Sequence, residues 1–211
     1  METQALKEKI EKIIKMTFEQ IDQTYRQNRE GQKLDNSKGL LLFPQYRKNS
    51  TRVSEQELRF AFVEQFCLIV KKENLPLLYS IETPTEHSYY FQNGEISKDA
   101  KKCKSGCLDL VIYSAEDSKR ICIIEFKANT PSIKYYKQDF FKLYTELTGG
   151  EGSKYSENAF GFIVQLIRNT KSTTVDRIKE KTLGSLENTN KVKHICFSLE
   201  NGQGGEIVIG E

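Results

Sequence analysis

The chain has 211 residues, 37% of them hydrophobic, enough to bury a core without disulfide or metal staples. Its 32 Lys and Arg nearly balance its 29 Asp and Glu, for a net charge of +3, which excludes a histone-like polyanion binder and confines any basic surface to a local patch. The two histidines, His87 and His194, are far apart and no G-x-x-x-x-G-K-[ST] or G-x-S-x-G motif is present, so a His-rich metal centre, a P-loop and a serine-hydrolase elbow are excluded.

The first residues, Met1 to Lys7, lack an apolar run after a basic start, so no secretory signal is expected. No apolar run approaches the ~20 residues of a membrane helix. An odd set of five cysteines fits reduced, partly buried thiols and a cytoplasmic location. Cys103 and Cys107 could form half of a zinc site, but no second cysteine pair accompanies them, and a loop with two free thiols is expected.

Residues 3–29 read as an amphipathic helix. Leu6, Ile10, Ile13, Thr17, Ile21 and Tyr25 recur at spacings of three and four, the pattern of a packing or dimerisation helix. A polar, turn-rich stretch follows and ends in the basic-aromatic cluster Tyr46, Arg47, Lys48 and Arg52. These groups either contact nucleic acid or pack the loop over the core. The expected division is residues 1–53, helix and connecting segment, and residues 54–211, one compact core.

Residues 54–72 form the next expected helix. Ser54 is the N-cap and Glu57 stands three residues on, a capping-box spacing. Leu58 to Val63 and Phe66 to Val70 make it apolar nearly all round, so it is expected to be largely buried. Strands are expected at 76–83, with a short one near 88–91, and then at 108–114 and 121–128. The last two are joined by the turn-rich Ala115 to Arg120 and form an antiparallel hairpin. Pro131 and Ser132 open a helix to about Thr148, ended by glycines 149, 150 and 152. A strand at 159–167, a helix over about 172–187, a strand at 192–199 and a last one at 206–209 complete the order. Gly202 to Gly205 read as a hairpin turn. The fold class is α/β, a mixed central sheet flanked by helices.

The 108–128 hairpin carries the chemistry. Both strands are apolar enough for a sheet interior, yet they hold Asp109, Glu125 and Lys127. Glu125 and Lys127 share a face at period two. Asp109 joins them if the cross-strand register pairs residue numbers of even sum, which brings the carboxylates to roughly 5–8 Å. Two carboxylates so close repel, and one is protonated unless a cation sits between them. Hard oxygen ligands with room for water suit Mg²⁺, with Mn²⁺ as its substitute. A lysine two residues on can act on a water or on a phosphate oxygen. Two carboxylates, a metal and a lysine suit phosphodiester hydrolysis, whereas a plain salt bridge is the structural alternative.

Asp109 followed by Glu125-Phe126-Lys127, within a helix, three strands, a helix and a strand, resembles the PD-(D/E)XK nuclease superfamily over roughly residues 54–168. The name-giving proline is replaced by Leu108. The resemblance implies a restriction-endonuclease-like αβββαβ core preceded by the N-terminal helix. It implies that Asp109, Glu125 and the Phe126 carbonyl hold the metal while Lys127 acts on the attacking water. It also implies a glutamate from the first core helix, Glu57 or, seven residues on, Glu64. Gln138 and Lys142 of the following helix could reach the site or a phosphate, but Tyr144 lies six residues after Gln138, which departs from the Gln-x-x-x-Tyr pattern of one branch. Lys98, Lys101, Lys102 and Lys104 precede the Asp109 strand, and Lys134, Lys137 and Lys142 follow the Lys127 strand, a rim that could meet a nucleic-acid backbone. Ordinary solubility charge is the alternative for these lysines. The expected function is a Mg²⁺-dependent DNA nuclease of restriction, repair or defence, with RNA an open alternative and no membrane association. A homodimer or a companion subunit are compatible sources of specificity. The competing expectation is a non-catalytic nucleic-acid or protein-interaction module of the same fold.

Overall fold

A computed structural model describes residues 3–29, 37, 39–42, 45–47, 50–51, 54–92, 95–96, 104–129, 133–149, 153–167, 191–199 and 205–209. The elements are α1 (Thr3–Arg29), β1 (Gln45–Arg47), β2 (Ser50–Thr51), α2 (Glu55–Lys72), β3 (Leu77–Tyr89), β4 (Phe91–Gln92), β5 (Glu95–Ile96), β6 (Lys104–Ser114), β7 (Arg120–Ala128), α3 (Ile133–Leu147), β8 (Tyr155–Ile167), β9 (Val192–Ser198) and β10 (Gly205–Ile209). The central sheet has the order β10-β9-β8-β7-β6-β3. Strands β3, β6 and β7 are antiparallel, β7-β8 and β8-β9 are parallel, and β10 returns antiparallel to β9. Within it, α2-β3-β6-β7-α3-β8 follows the expected αβββαβ order. The helix expected over 172–187 lies outside the described residues.

One face of the sheet is covered by α1 and α2. Ile10, Ile14, Phe18 and Ile21 of α1 and Leu58, Phe62 and Phe66 of α2 bury against Leu110, Ile124, Phe126, Phe162 and Phe197. Phe18 stacks on Phe197 with ring centroids 4.4 Å apart, so the amphipathic face of α1 is spent on packing within the chain. The opposite face is covered by α3. Its Tyr136, Phe140, Leu143 and Leu147 recur at spacings of four, three and four, and they meet Leu108, Val111, Ile123 and Ile163.

Two expectations are corrected here. Helix α2 is not buried all round: Phe60 is 58% and Leu68 55% exposed, because α1 and the sheet cover only one side of it. The strand expected at 76–83 runs on to Tyr89, taking in the first half of the separate short strand expected near 88–91, and Phe91 starts β4. The long strand tolerates an irregularity where Glu82 adopts φ 48 and a shift of register between Pro84 and Ser88, because β6 is long enough to pair on both sides of it. Among the described residues, Cys67, Cys107, Cys122 and Cys196 are free thiols, and no helix is long and apolar enough to cross a membrane. Cys103 lies outside the described residues.

Candidate active site at the splayed end of a hairpin

The β6-β7 register pairs Leu110 with Ile124, Val111 with Ile123 and Ile112 with Cys122. Each pair has an even sum, as placing Asp109 beside Glu125 requires. The β6-β7 ladder ends at Leu110, and β3 likewise skips the Glu82–Asp109 pair. Leu110 packs on the α2 side of the sheet, whereas Leu108 packs on the α3 side. Residues two apart in a regular strand share a face, so β6 turns over at Asp109. The Asp109 carboxylate takes the acceptor position that the ladder gives up: its Oδ2 accepts from Phe126 N at 2.8 Å. Arg59 of α2 stands behind it, 4.0 Å from Oδ1, and ion-pairs with Glu82. A charged residue is thereby fixed between two strands.

Glu125 and Lys127 point to the α3 face and are buried. There they meet two residues of α3, Asp139 and Lys142. Lys127 Nζ lies 3.0 Å from Asp139 Oδ2 and 3.9 Å from Glu125 Oε2, and donates to the Phe126 carbonyl at 3.0 Å. Lys142 Nζ lies 3.1 Å from Glu125 Oε1, 3.0 Å from Asp139 Oδ1 and 3.1 Å from the Cys107 carbonyl. Asp139 thus bridges the two ammonium groups. Burial, then the charges of Asp139 and Asp109, push the Glu125 carboxyl up to about 8, with Lys142 and Lys127 only partly opposing them. For Lys127, burial opposes the charge, but Asp139, Glu125, Asp109 and Glu55 outweigh it and hold the ammonium protonated. The charge of Lys142 is secured in the same way by Glu125 and Asp139 against its burial.

The back wall is neutral. Gln165, beside Lys127 across the parallel pair, accepts from Tyr136 Oη at 2.5 Å and donates to the Asn129 carbonyl at 2.6 Å. His194 Nε2 is 2.9 Å from Gln165 Oε1. Burial first, and then the charge of Lys127, push His194 down to about 3, so it is a neutral core imidazole that donates to the amide oxygen.

The remaining sequence candidates divide. Glu57 lies at the N-cap: its N–H donates to Ser54 Oγ at 3.4 Å, and its carboxylate accepts from the same hydroxyl. Glu55, also on α2, lies beside the residue after Lys127: its Oε1 accepts from Ala128 N at 3.4 Å. Glu64 is corrected. Its carboxylate accepts from Gln20 Nε2 and Leu40 N, both at 2.8 Å, because the stripe seven residues from Glu57 faces α1 rather than the site. Lys142 enters the site. Lys137 is exposed and Gln138 half-buried on α3. The Arg47 side chain and all of Arg52 lie outside the described residues. Asp139 was not anticipated. Its signal was a carboxylate next to the apolar stripe of an amphipathic helix, three residues from Tyr136 and four from Leu143.

Asp109, Glu125 and the Phe126 carbonyl offer only oxygen donors, and the upward push on Glu125 marks a buried carboxylate whose charge the two lysines leave under-compensated. Among the described residues no group of three or more His, Cys, Asp or Glu is arranged to hold a metal ion. A Mg²⁺ site needs only one or two carboxylates, with water and phosphate completing it, so these residues fit that ion.

No family model and no curated protein matches the chain. Among solved structures it is similar to SfsA of Pyrococcus furiosus in complex with Ca²⁺, at 15% identity and a TM-score of 0.35, over 82% of this chain and 70% of that one.

Proposed function

We propose that the chain is a Mg²⁺-dependent nuclease that hydrolyses DNA phosphodiesters. The observation that carries this reading is a buried, under-compensated carboxylate, Glu125, next to Asp109 and Lys127 where β6 splays from β7. Asp109 and Glu125 would hold the ion, with the Phe126 carbonyl beside them. When bound, Mg²⁺ polarises the phosphate and lowers the pKa of a bound water. Lys127 stays protonated, so it serves as a donor that orients the attacking water or neutralises charge on a phosphate oxygen, not as a base. Asp139 fixes the Lys127 ammonium, and the Gln165–Tyr136–His194 wall keeps that side of the site free of competing charge.

The test is cleavage of plasmid, single-stranded DNA and RNA with Mg²⁺ or Mn²⁺, comparing wild type with Asp109→Ala and Lys127→Ala. Both substitutions should abolish cleavage, and activity that survives both removes the assigned site. A second reading, a binding module of the same fold, draws on the ion pairs that already engage Lys127 and Lys142. Nucleic-acid binding without cleavage in any divalent metal would favour it.

A further inference from the structure

We propose that Lys142 is a resident counter-ion of Glu125 that has to leave this carboxylate when a divalent metal binds, so that α3 sets the metal affinity of the site. The inference rests on the metal-dependent reading above. Lys142 Nζ is surrounded by three oxygens from three elements: Glu125 Oε1 of β7 at 3.1 Å, Asp139 Oδ1 of α3 at 3.0 Å and the Cys107 carbonyl of β6 at 3.1 Å. Two carboxylates and a carbonyl are the donor types that a hard dication selects. Of these three oxygens, Glu125 Oε1 also belongs to the metal site proposed above, so the ammonium already occupies one of the metal's oxygens.

The two lysines are not equivalent in this respect. Lys127 is 3.9 Å from Glu125 and is held instead by Asp139 and the Phe126 carbonyl, each at 3.0 Å. A metal that took the Phe126 carbonyl would leave it on Asp139, and it would give up no contact as close to a metal-binding carboxylate as the one Lys142 makes with Glu125. Lys142 shares Glu125 Oε1 itself, and a dication on that oxygen would face a like charge within one hydrogen-bond length in a buried setting, where repulsion is only weakly screened. Asp139 gives Lys142 a place to withdraw to: its Oδ1 serves Lys142 while its Oδ2 serves Lys127.

The experiment is a crystal structure of the full chain with Mn²⁺, together with Mn²⁺ titration by electron paramagnetic resonance in alkaline buffer, where protons do not compete for the carboxylates. The expected crystal has Mn²⁺ on Asp109 and Glu125, with Lys142 Nζ withdrawn from Glu125 and kept by Asp139. Lys142→Met should bind Mn²⁺ about tenfold more tightly than wild type. Mn²⁺ on Asp109 and Glu125 with Lys142 still hydrogen-bonded to Glu125, or unchanged or weaker binding by Lys142→Met, overturns the counter-ion role and leaves the metal site standing. No Mn²⁺ on Asp109 and Glu125 in either protein overturns the metal reading and the inference with it.

Discussion

Replacing Glu125 by Gln separates the charge of this residue from its shape. Wild-type Glu125 is buried and its carboxyl is pushed from an ordinary 4.5 to about 8, by burial first and by Asp139 next. A carboxyl whose folded value is raised binds its proton more tightly when folded. The stability this contributes is complete below the unfolded value and is lost as pH rises through the folded one. At 1.36 kcal/mol for each pH unit, the metal-free wild type should lose about 4 kcal/mol between pH 5 and pH 9 through this group. Gln does not titrate. It also offers Lys142 a weaker acceptor, which lowers stability by an offset that does not follow the Glu125 titration. The diagnostic is therefore the difference between the two proteins as a function of pH. Thermal unfolding in EDTA should show the wild-type midpoint falling relative to Glu125→Gln by roughly 10 °C across that range. Mg²⁺ should restore the wild type alone at the alkaline end. Parallel curves from pH 5 to pH 9 would show that Glu125 ionises without penalty, and the argument for an under-compensated carboxylate would fail.

His194 titrates with the opposite sign. Held down to about 3 by burial, it contributes stability that is present above its unfolded value of 6.5 and lost as pH falls toward 3. His194→Gln should lack that acid slope in urea unfolding, and an unchanged slope would assign it to other groups. Glu57→Ala removes only the carboxylate bond to the Ser54 hydroxyl, since the backbone N–H still caps the helix; it should lower stability by about 0.5–1 kcal/mol and leave cleavage near wild type. Glu55→Gln should reduce cleavage more than Glu57→Gln does, and the reverse order in a plasmid assay would return the helix acid to Glu57. Phe18→Ala removes the stack on Phe197 and should destabilise the fold by about 3–5 kcal/mol in denaturant titration. A loss below 1 kcal/mol would mean that α1 is an appendage rather than part of the core.

The hairpin was legible because two signals coincided: period-two strands of nearly unbroken apolar character, and charged residues standing inside them. A sheet interior tolerates such residues only when they are partnered, so Asp109, Glu125 and Lys127 declared themselves. Of their partners, Lys142 is offered by the sequence only as one residue that could reach the site or a phosphate, and Asp139 not at all. Asp139 and Lys142 lie on an amphipathic helix, where a charge every third residue reads as a solvated face. Only the packing of α3 over β8 shows that the stripe beside Tyr136, Phe140 and Leu143 points inward. The acid at the start of α2 was ambiguous for a related reason. The spacing from Ser54 to Glu57 foretells a capping box, and a capped glutamate turns back toward its own helix end. Glu55, two residues earlier, is free of that duty and reaches Ala128 N. The turning over of β6 at Asp109 could not be read from alternation at all, because alternation assumes the regular ladder that Asp109 interrupts.

A second buried carboxylate on α3 tests whether burial alone marks a site. Glu146 has no exposed surface, and it lies seven residues from Asp139, on the same stripe of the helix. It accepts from Glu86 N at 2.9 Å, His87 N at 3.0 Å, Tyr89 Oη at 2.7 Å and Tyr155 Oη at 2.8 Å, with Arg120 at 3.8 Å. Burial pushes its carboxyl up, but these donors outweigh burial and hold it below the ordinary range. Its charge is met entirely from within the fold, and it ties β3 to α3 and β8. Glu125 is equally buried but its charge is not met, and it is pushed the other way. The contrast divides a carboxylate whose charge the fold satisfies from one whose charge it does not. Glu146→Gln should therefore destabilise the fold at neutral pH, by an order of 3 kcal/mol for a broken buried charge network, and leave Mn²⁺ affinity unchanged. Glu125→Gln in EDTA should be tolerated best at alkaline pH, and it should lose Mn²⁺ binding. If both substitutions moved stability and Mn²⁺ binding alike, the degree of compensation would carry no functional information, and Glu125 would be one more member of a structural network.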